Sequence, residues 1–444
     1  MSFRYTKFVL AALAMAVGCL STHVAAQDEF ASAAELKLME GFPPPADKRV
    51  DRSNALMTPP FNRWSYLNMR LLYPTAGIGN ASQPIKMPAE IDKGIAALKV
   101  VKPDAKGAPT KTKVDMETYL KETYSDALVV VQGDKIVYEK HLNGMDGNHP
   151  HQMMSVTKSF AGLFGLQAVA DGKADEGEVV SKYLPELKAS GAFSDATFKQ
   201  VLNMTNAMDF SEKYADPESG IQHYGVVLGL MNPQPGKTYA NSIYEYLPTL
   251  GKDPKHEHGD VFHYQTPKTD VVNWVTNRVT GVSFQKNMFD KLWSKLGTDG
   301  ETYVLLDTNA TLFAGGGLNA TPRDLARFGS MMISGGKFGG QQVISKNVIS
   351  QLSDGASVEA FANGPSSTGM MAAEDWSYRA QWWVRHQKGK EAFTALGIHG
   401  QWIYCDIHRG VAIIKQSSQP TSADDYYDAY NLNAWDAIIG HLSN

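Results

Sequence analysis

The sequence predicts an α+β protein, an α/β sandwich. One antiparallel sheet is formed by both chain ends and flanked by helices, and a mostly helical lobe is inserted. Three observations predict it. A strand hairpin is readable at 127–140. Strand-like runs between 381 and 416 precede a closing helix. The stretch between them, roughly 150–330, is helical by period.

The chain has 444 residues, 42 Lys+Arg against 46 Asp+Glu, and a formal charge of −4. With 43% apolar and 20% charged residues it reads as a globular protein with an ample core, which excludes disordered, collagenous and multi-span membrane classes. Mild acidity argues against non-specific nucleic-acid binding. Two cysteines, Cys19 and Cys405, are too few for a disulfide framework or a Cys-based zinc site. Nothing in the composition sets the oligomeric state.

Residues 1–26 read as a signal peptide. Arg4 and Lys7 open it, Phe8 to Val17 is apolar and too short for a comfortable membrane span, and Val24-Ala25-Ala26 suits signal peptidase. Removal would leave a secreted, periplasmic chain of charge −6 that begins at Gln27. Ala16-Val17-Gly18-Cys19 offers a lipoprotein-like alternative, with lipid anchoring at Cys19. Residues 27–112 carry Pro43-Pro44-Pro45, Pro59-Pro60 and Pro103, which resist helix and strand. They read as an extension wrapped over the main domain, anchored by Trp64, Tyr66 and Tyr73.

The main domain is placed at 113–444. Val114 to Tyr124 reads as a helix. Strands at 127–132 and 135–140 flank Gly133-Asp134, which has short-turn chemistry. Strands at 381–385, 400–406 and 410–416 precede a helix at 425–441.

Chemistry enters at Ser155-Val156-Thr157-Lys158, an S-x-x-K just before an apolar run. Residues three apart at a helix start share a face, so hydroxyl and amine can meet. The helix N-terminus favours a developing anion, and a desolvated amine can take the Ser proton. The bland alternative is a Ser cap beside a solvated Lys.

Context favours the chemical reading. Val179 to Leu187 (VVSKYLPEL) and Thr197 to Thr205 (TFKQVLNMT) follow the S-x-x-K block. The run resembles the β-lactamase-related serine hydrolases with the penicillin-binding-protein-like fold, in which S-x-x-K is the signature. That resemblance implies a second block, usually Tyr-x-Asn, before a helix closing in Thr-Gly. Tyr264-Gln265-Thr266 precedes a helix that closes at Thr280-Gly281, with Thr in place of Asn. Tyr239-Ala240-Asn241 has the more literal pattern and remains the competitor. Gly315-Gly316-Gly317 matches the family's glycine loop, with Thr321 or Asn319 to cap the helix that follows.

For the third block, His399-Gly400-Gln401 stands where the family has Lys-Thr-Gly. This version is nearer the 6-aminohexanoate-dimer hydrolase and esterase branch. There the resemblance implies that Tyr214 contacts the substrate amide and that the strand backbone beside this block supplies an oxyanion donor. It implies an acyl-enzyme on Ser155, with Lys158 and Tyr264 sharing the proton. The substrate is then a small amide or ester, and no cofactor or metal is needed. The alternatives are a D-alanyl-D-alanine peptidase or β-lactamase, or a non-catalytic binding protein of the same fold.

Other motifs are weaker. His256-Glu257-His258 could bind metal but sits in a solvated stretch. His399 as a triad base lacks a G-x-S-x-G elbow. Cys405 reads as core, and Trp382-Trp383 as core or pocket lining.

Overall fold

The computed structural model describes residues 28–443. The expected signal peptide, residues 1–26, and Cys19 lie outside them. The amino-terminal segment is less featureless than its prolines suggest. It contributes β1 (Thr75–Ile78) and the hairpin of β2 (Lys99–Pro103) and β3 (Pro109–Asp115). Helix α1 (Met116–Glu122) starts at Asp115, whose side chain accepts from the Thr118 N–H. It leads into β4 (Ser125–Gln132) and β5 (Lys135–His141), joined at Gly133 in the left-handed region, φ 62°.

A two-residue strand β6 (His151–Gln152) delivers helix α2 (Val156–Ala170). Helix α3 (Gly220–Val227) follows, capped by Ser219. Helix α4 (Pro267–Thr280) has Pro267 in its first turn, and Gly281 closes it at φ 67°. Next come β7 (Thr302–Leu305), β8 (Leu318–Ala320) and α5 (Pro322–Ile333). Thr321, rather than Asn319, caps α5 through the Asp324 N–H at 3.2 Å. Strands β9 (Trp376–Arg379), β10 (Trp382–Arg385), β11 (Ala392–Gly397), β12 (Gln401–Asp406) and β13 (Val411–Ser417) end in α6 (Asp425–Leu442).

The main sheet is seven-stranded and antiparallel, in the order β9-β10-β11-β12-β13-β4-β5. β13, from the carboxyl end, pairs with β4, from the amino end, and this pairing makes the two chain ends one sheet. Its faces follow the period of two. Val129 and Val131 join one core cluster with Phe160 and Phe328, while Leu128 and Val130 join another with Trp402 and Trp435. Helices α2 and α5 therefore cover one face and α6 the other. A second sheet, β1-β7-β8-β6, ties the amino-terminal segment to the strand that leads into α2.

Helix α2 is buried on nearly every side. Its Gly162 touches the turn between β9 and β10 so closely that a Cβ there would sit 1.9 Å from the Ala380 carbonyl oxygen. This contact fixes how far the helix stands from the sheet, and with it the position of its first turn.

Candidate active site

Ser155 precedes α2 with φ −68° and ψ −6°, and its hydroxyl makes no cap hydrogen bond. Met154 before it has φ 47°, a conformation that non-glycine residues rarely adopt. The Thr157 hydroxyl donates to the Met154 carbonyl at 2.6 Å and accepts from the Leu318 N–H at 2.9 Å, so β8 braces this turn. The Ser155 hydroxyl is thus free of structural duty.

The Lys158 ammonium donates to Ser155 Oγ at 2.8 Å and to the Gly315 carbonyl at 2.5 Å. Lys158 is 1% exposed. Burial pulls its amine down to about 8, against the carboxylates of Glu212 and Asp270, which raise it. The bland alternative of a capping Ser beside a solvated Lys does not describe this pair.

The Tyr264 ring faces the same amine, with Lys158 Nζ 5.0 Å from the ring centroid, and its hydroxyl lies beside Ser155. Burial first, and the Glu212 charge second, push the Tyr264 phenol above its ordinary value. The ring stacks on Trp383 at 5.5 Å, and its backbone N–H is held by Ser366 Oγ. Trp382 instead packs in the core and donates to the Ser159 carbonyl at 2.9 Å. Tyr239 lies elsewhere. Its hydroxyl accepts from the Gln234 N–H at 3.2 Å, and its neighbour Asn241 is exposed and bound to Glu245.

Tyr214 borders the cavity that opens onto Ser155 and Lys158, and its hydroxyl donates to Glu212 at 2.8 Å. Glu212 also accepts from the Thr266 hydroxyl and, at 3.0 Å, from the Thr266 N–H. The Thr that replaces the usual Asn therefore holds a carboxylate beside Lys158 and Tyr264.

His399, Gly400 and Gln401 have side-chain positions turned into the fold. His399 Nδ1 donates to the Gln419 carbonyl at 2.7 Å, and burial lowers the imidazole to about 4. A neutral ring held by a backbone carbonyl has no carboxylate to orient it as a triad base. Gly400 has φ 87° and packs on the Gln419 side chain. The Gln401 carboxamide clamps Ser417, accepting from its N–H at 3.1 Å and donating to its carbonyl at 2.5 Å. The neighbour that borders the cavity is Ile398. His258 is likewise occupied, by the Ala207 N–H and by Asp195, and among the described residues no cluster of three ligating side chains could hold a metal. Cys405 is buried in β12, where burial raises its thiol.

Asp270 and Glu212 were not legible as site residues. Asp270 is four residues after Thr266 on α4, a spacing that puts both on one face. Its carboxylate accepts from Tyr224 O–H at 2.8 Å and from the Ala314 N–H at 2.9 Å, and its Oδ2 packs against Gly315, 3.1 Å from where a Cβ would sit. It thereby holds the loop whose Gly315 carbonyl holds Lys158. Burial pushes Asp270 up to about 7, against the Tyr224 hydrogen bond and the Lys158 charge.

A pH prediction follows from this pair. A base at Lys158 works only when neutral, so the rate should rise with pH through a midpoint near 8. Asp270→Asn removes a charge that favours the ammonium. The acid limb of the kcat/KM profile should then move to lower pH, while kcat falls because the Gly315 loop loosens. A profile that keeps its midpoint while losing amplitude would reduce Asp270 to a structural role.

Against known proteins, the profile of the family described as Beta-lactamase matches residues 115–434. The 6-aminohexanoate-dimer hydrolase of Paenarthrobacter ureafaciens is 32% identical over 362 residues, covering 81% of this chain and 86% of that protein. A Bacillus anthracis structure described under the same hydrolase name superposes with a TM-score of 0.78 at 26% identity, covering 90% of this chain and 98% of its own. A penicillin-binding protein homologue from Caulobacter crescentus shares the fold, with a TM-score of 0.54 at 15% identity over 76% of this chain and 98% of its own.

Proposed function

The chain belongs to the β-lactamase family, and from that premise we propose a serine hydrolase that cleaves the amide or ester bond of a small substrate through an acyl-enzyme on Ser155. The observation that carries this reading is the 2.8 Å contact between a buried, low-pKa Lys158 and a Ser155 hydroxyl with no structural task. The neutral Lys158 amine takes the Ser155 proton as Oγ adds to the carbonyl carbon. The Tyr264 phenol, kept protonated by burial, hands its proton to the leaving nitrogen or oxygen as the C–N or C–O bond breaks. It is reprotonated from the Lys158 ammonium. Water then adds to the acyl carbon and gives its proton to the neutral Lys158 amine, the C–Oγ bond breaks as the Lys158 ammonium returns that proton to Oγ, and the acid leaves with Ser155 restored.

The Ser155 N–H, at the head of α2, and the Ile398 N–H, which also borders the cavity, are the proposed oxyanion donors. His399 is not, because its N–H is spent on the Ser422 carbonyl at 2.9 Å. The proposal also places the mature chain in the periplasm, beginning at Gln27, on the strength of the basic, apolar and small-residue pattern of 1–26. The absence of Lys-Thr-Gly at 399–401 disfavours a β-lactam target. A fluorophosphonate probe tests the reading. It should label the wild type at Ser155 and leave Ser155→Ala unlabelled. A wild type that stays unlabelled would point to a non-catalytic binding protein.

A further inference from the structure

The cavity at Ser155 is apolar except at its catalytic end. Beyond Gln152, Lys158, Tyr214 and Thr266 its walls include Phe313, Ile221, Leu228, Leu230 and Met231 from the inserted lobe, with Leu56 and Met57 from the amino-terminal segment. Gly225 leaves room for Met231, since a Cβ there would meet its Sδ at 2.7 Å. Leu56, Met57, Leu230 and Met231 also border a second cavity, otherwise lined by the polar Arg52, Ser53, Gln222 and Asn232. These four side chains are therefore a partition, with the catalytic cavity on one side and a polar cleft on the other.

The amino-terminal half of the partition is firmly held. The Tyr66 hydroxyl donates to the Leu56 carbonyl at 2.8 Å, and the Ser65 hydroxyl donates to the Ala55 carbonyl. Tyr66 is fully buried, with its ring edge-on to both His151 and His399. Next to it, Arg63 makes a buried ion pair with Asp126 of β4 at 2.9 Å. Asn62 donates to the carbonyls of Ser418 and Gln419, at 3.0 and 2.9 Å, just past β13. The backbone of 55–57 is thus fastened to β4 and to the chain just past β13.

The two sides of a bound carbonyl can be told apart. Tyr264 must face the leaving atom to protonate it, and Tyr264 lies toward Trp383 and Tyr378, off the border of the apolar cavity. Ser155 does border it, so the carbon chain that stays on Ser155 points into it.

We propose that Leu56 and Met57 contact the substrate, closing the acyl side of the site, and that this side takes an apolar acyl chain whose length the partition limits. The inference rests on the acyl-enzyme reading above and adds to it the identity of the acyl group. Trimming the partition joins the two cavities, so longer chains should gain, and damage to the fold cannot produce such a gain.

The test is kcat/KM for p-nitrophenyl acetate, hexanoate and octanoate with the wild type, Leu56→Ala, Met57→Ala and Leu56→Phe. Each alanine variant should raise the octanoate-to-acetate ratio about tenfold, and Leu56→Phe should lower it by a similar factor, the scale of discrimination that a methylene or two gives in an apolar pocket. Ratios that stay together in all variants, while turnover still requires Ser155, overturn the proposal and leave the hydrolase reading standing. A shift seen only when the leaving group is varied at constant acyl group overturns the acyl assignment. Failure of the wild type both to turn over any ester and to take the fluorophosphonate overturns the hydrolase reading and this inference together.

Discussion

Ser155→Ala is expected to abolish turnover, with kcat falling on the order of 10⁴–10⁶-fold, the size of loss seen when a nucleophile is removed from a working set. The fold should survive, and the reason lies in the backbone. A Ser that caps a helix costs about 1 kcal/mol when replaced by Ala. Ser155 makes no such bond, so the helix start loses nothing by the change. The turn before it is braced by Thr157 and Leu318, which the substitution does not touch. Lys158 loses one acceptor and keeps the Gly315 carbonyl. A thermal melt beside the kinetics separates the two effects: Tm should stay near that of the wild type while activity disappears. Activity within about tenfold of wild type on the same substrate would end the proposed mechanism.

The parts of this molecule that were legible in sequence are those whose determinants are local. The turn at Gly133-Asp134 and the spacing of Ser155 and Lys158 each depend on a few adjacent residues. The strands at 376–379 and 392–397 were not read, because both faces of the sheet are covered there and no alternation survives. Trp376 to Arg379 are all buried. Strand Thr75–Ile78 has only four residues, and its partner lies at 302–305, a pairing that no local pattern announces. The site divides in the same way. Ser155, Lys158 and Tyr264 sit in recognisable blocks. Glu212 and Asp270 act through contacts that exist only after the inserted lobe has folded back on α2. His399-Gly400-Gln401 was the reverse case. The block was visible, but its side chains serve the turn that presents Ile398.

Tyr264→Phe is expected to lower kcat by roughly 10²–10⁴-fold, the usual worth of a positioned acid–base group. Tyr239→Phe should change it by less than about threefold, because a half-buried ring away from the chemistry loses one ordinary hydrogen bond. The ring at 264 remains in the Phe variant, so its stacking on Trp383 and its face toward Lys158 persist, and only the proton carrier is lost. This gives the comparison a second dimension. The proposed task of the Tyr264 hydroxyl is to protonate the leaving atom. An amide nitrogen cannot leave without that proton, whereas p-nitrophenoxide, a weak base, can. The loss from Tyr264→Phe should therefore be much larger for an amide than for a p-nitrophenyl ester with the same acyl group. Ser155→Ala should be crippling for both. Equal losses on the two substrates would mean that Tyr264 helps to deprotonate Ser155 rather than to expel the leaving group. A damaged Tyr239→Phe beside a healthy Tyr264→Phe would move the catalytic Tyr to the literal Tyr-x-Asn block, where Asn241 is now bound to Glu245 at the surface.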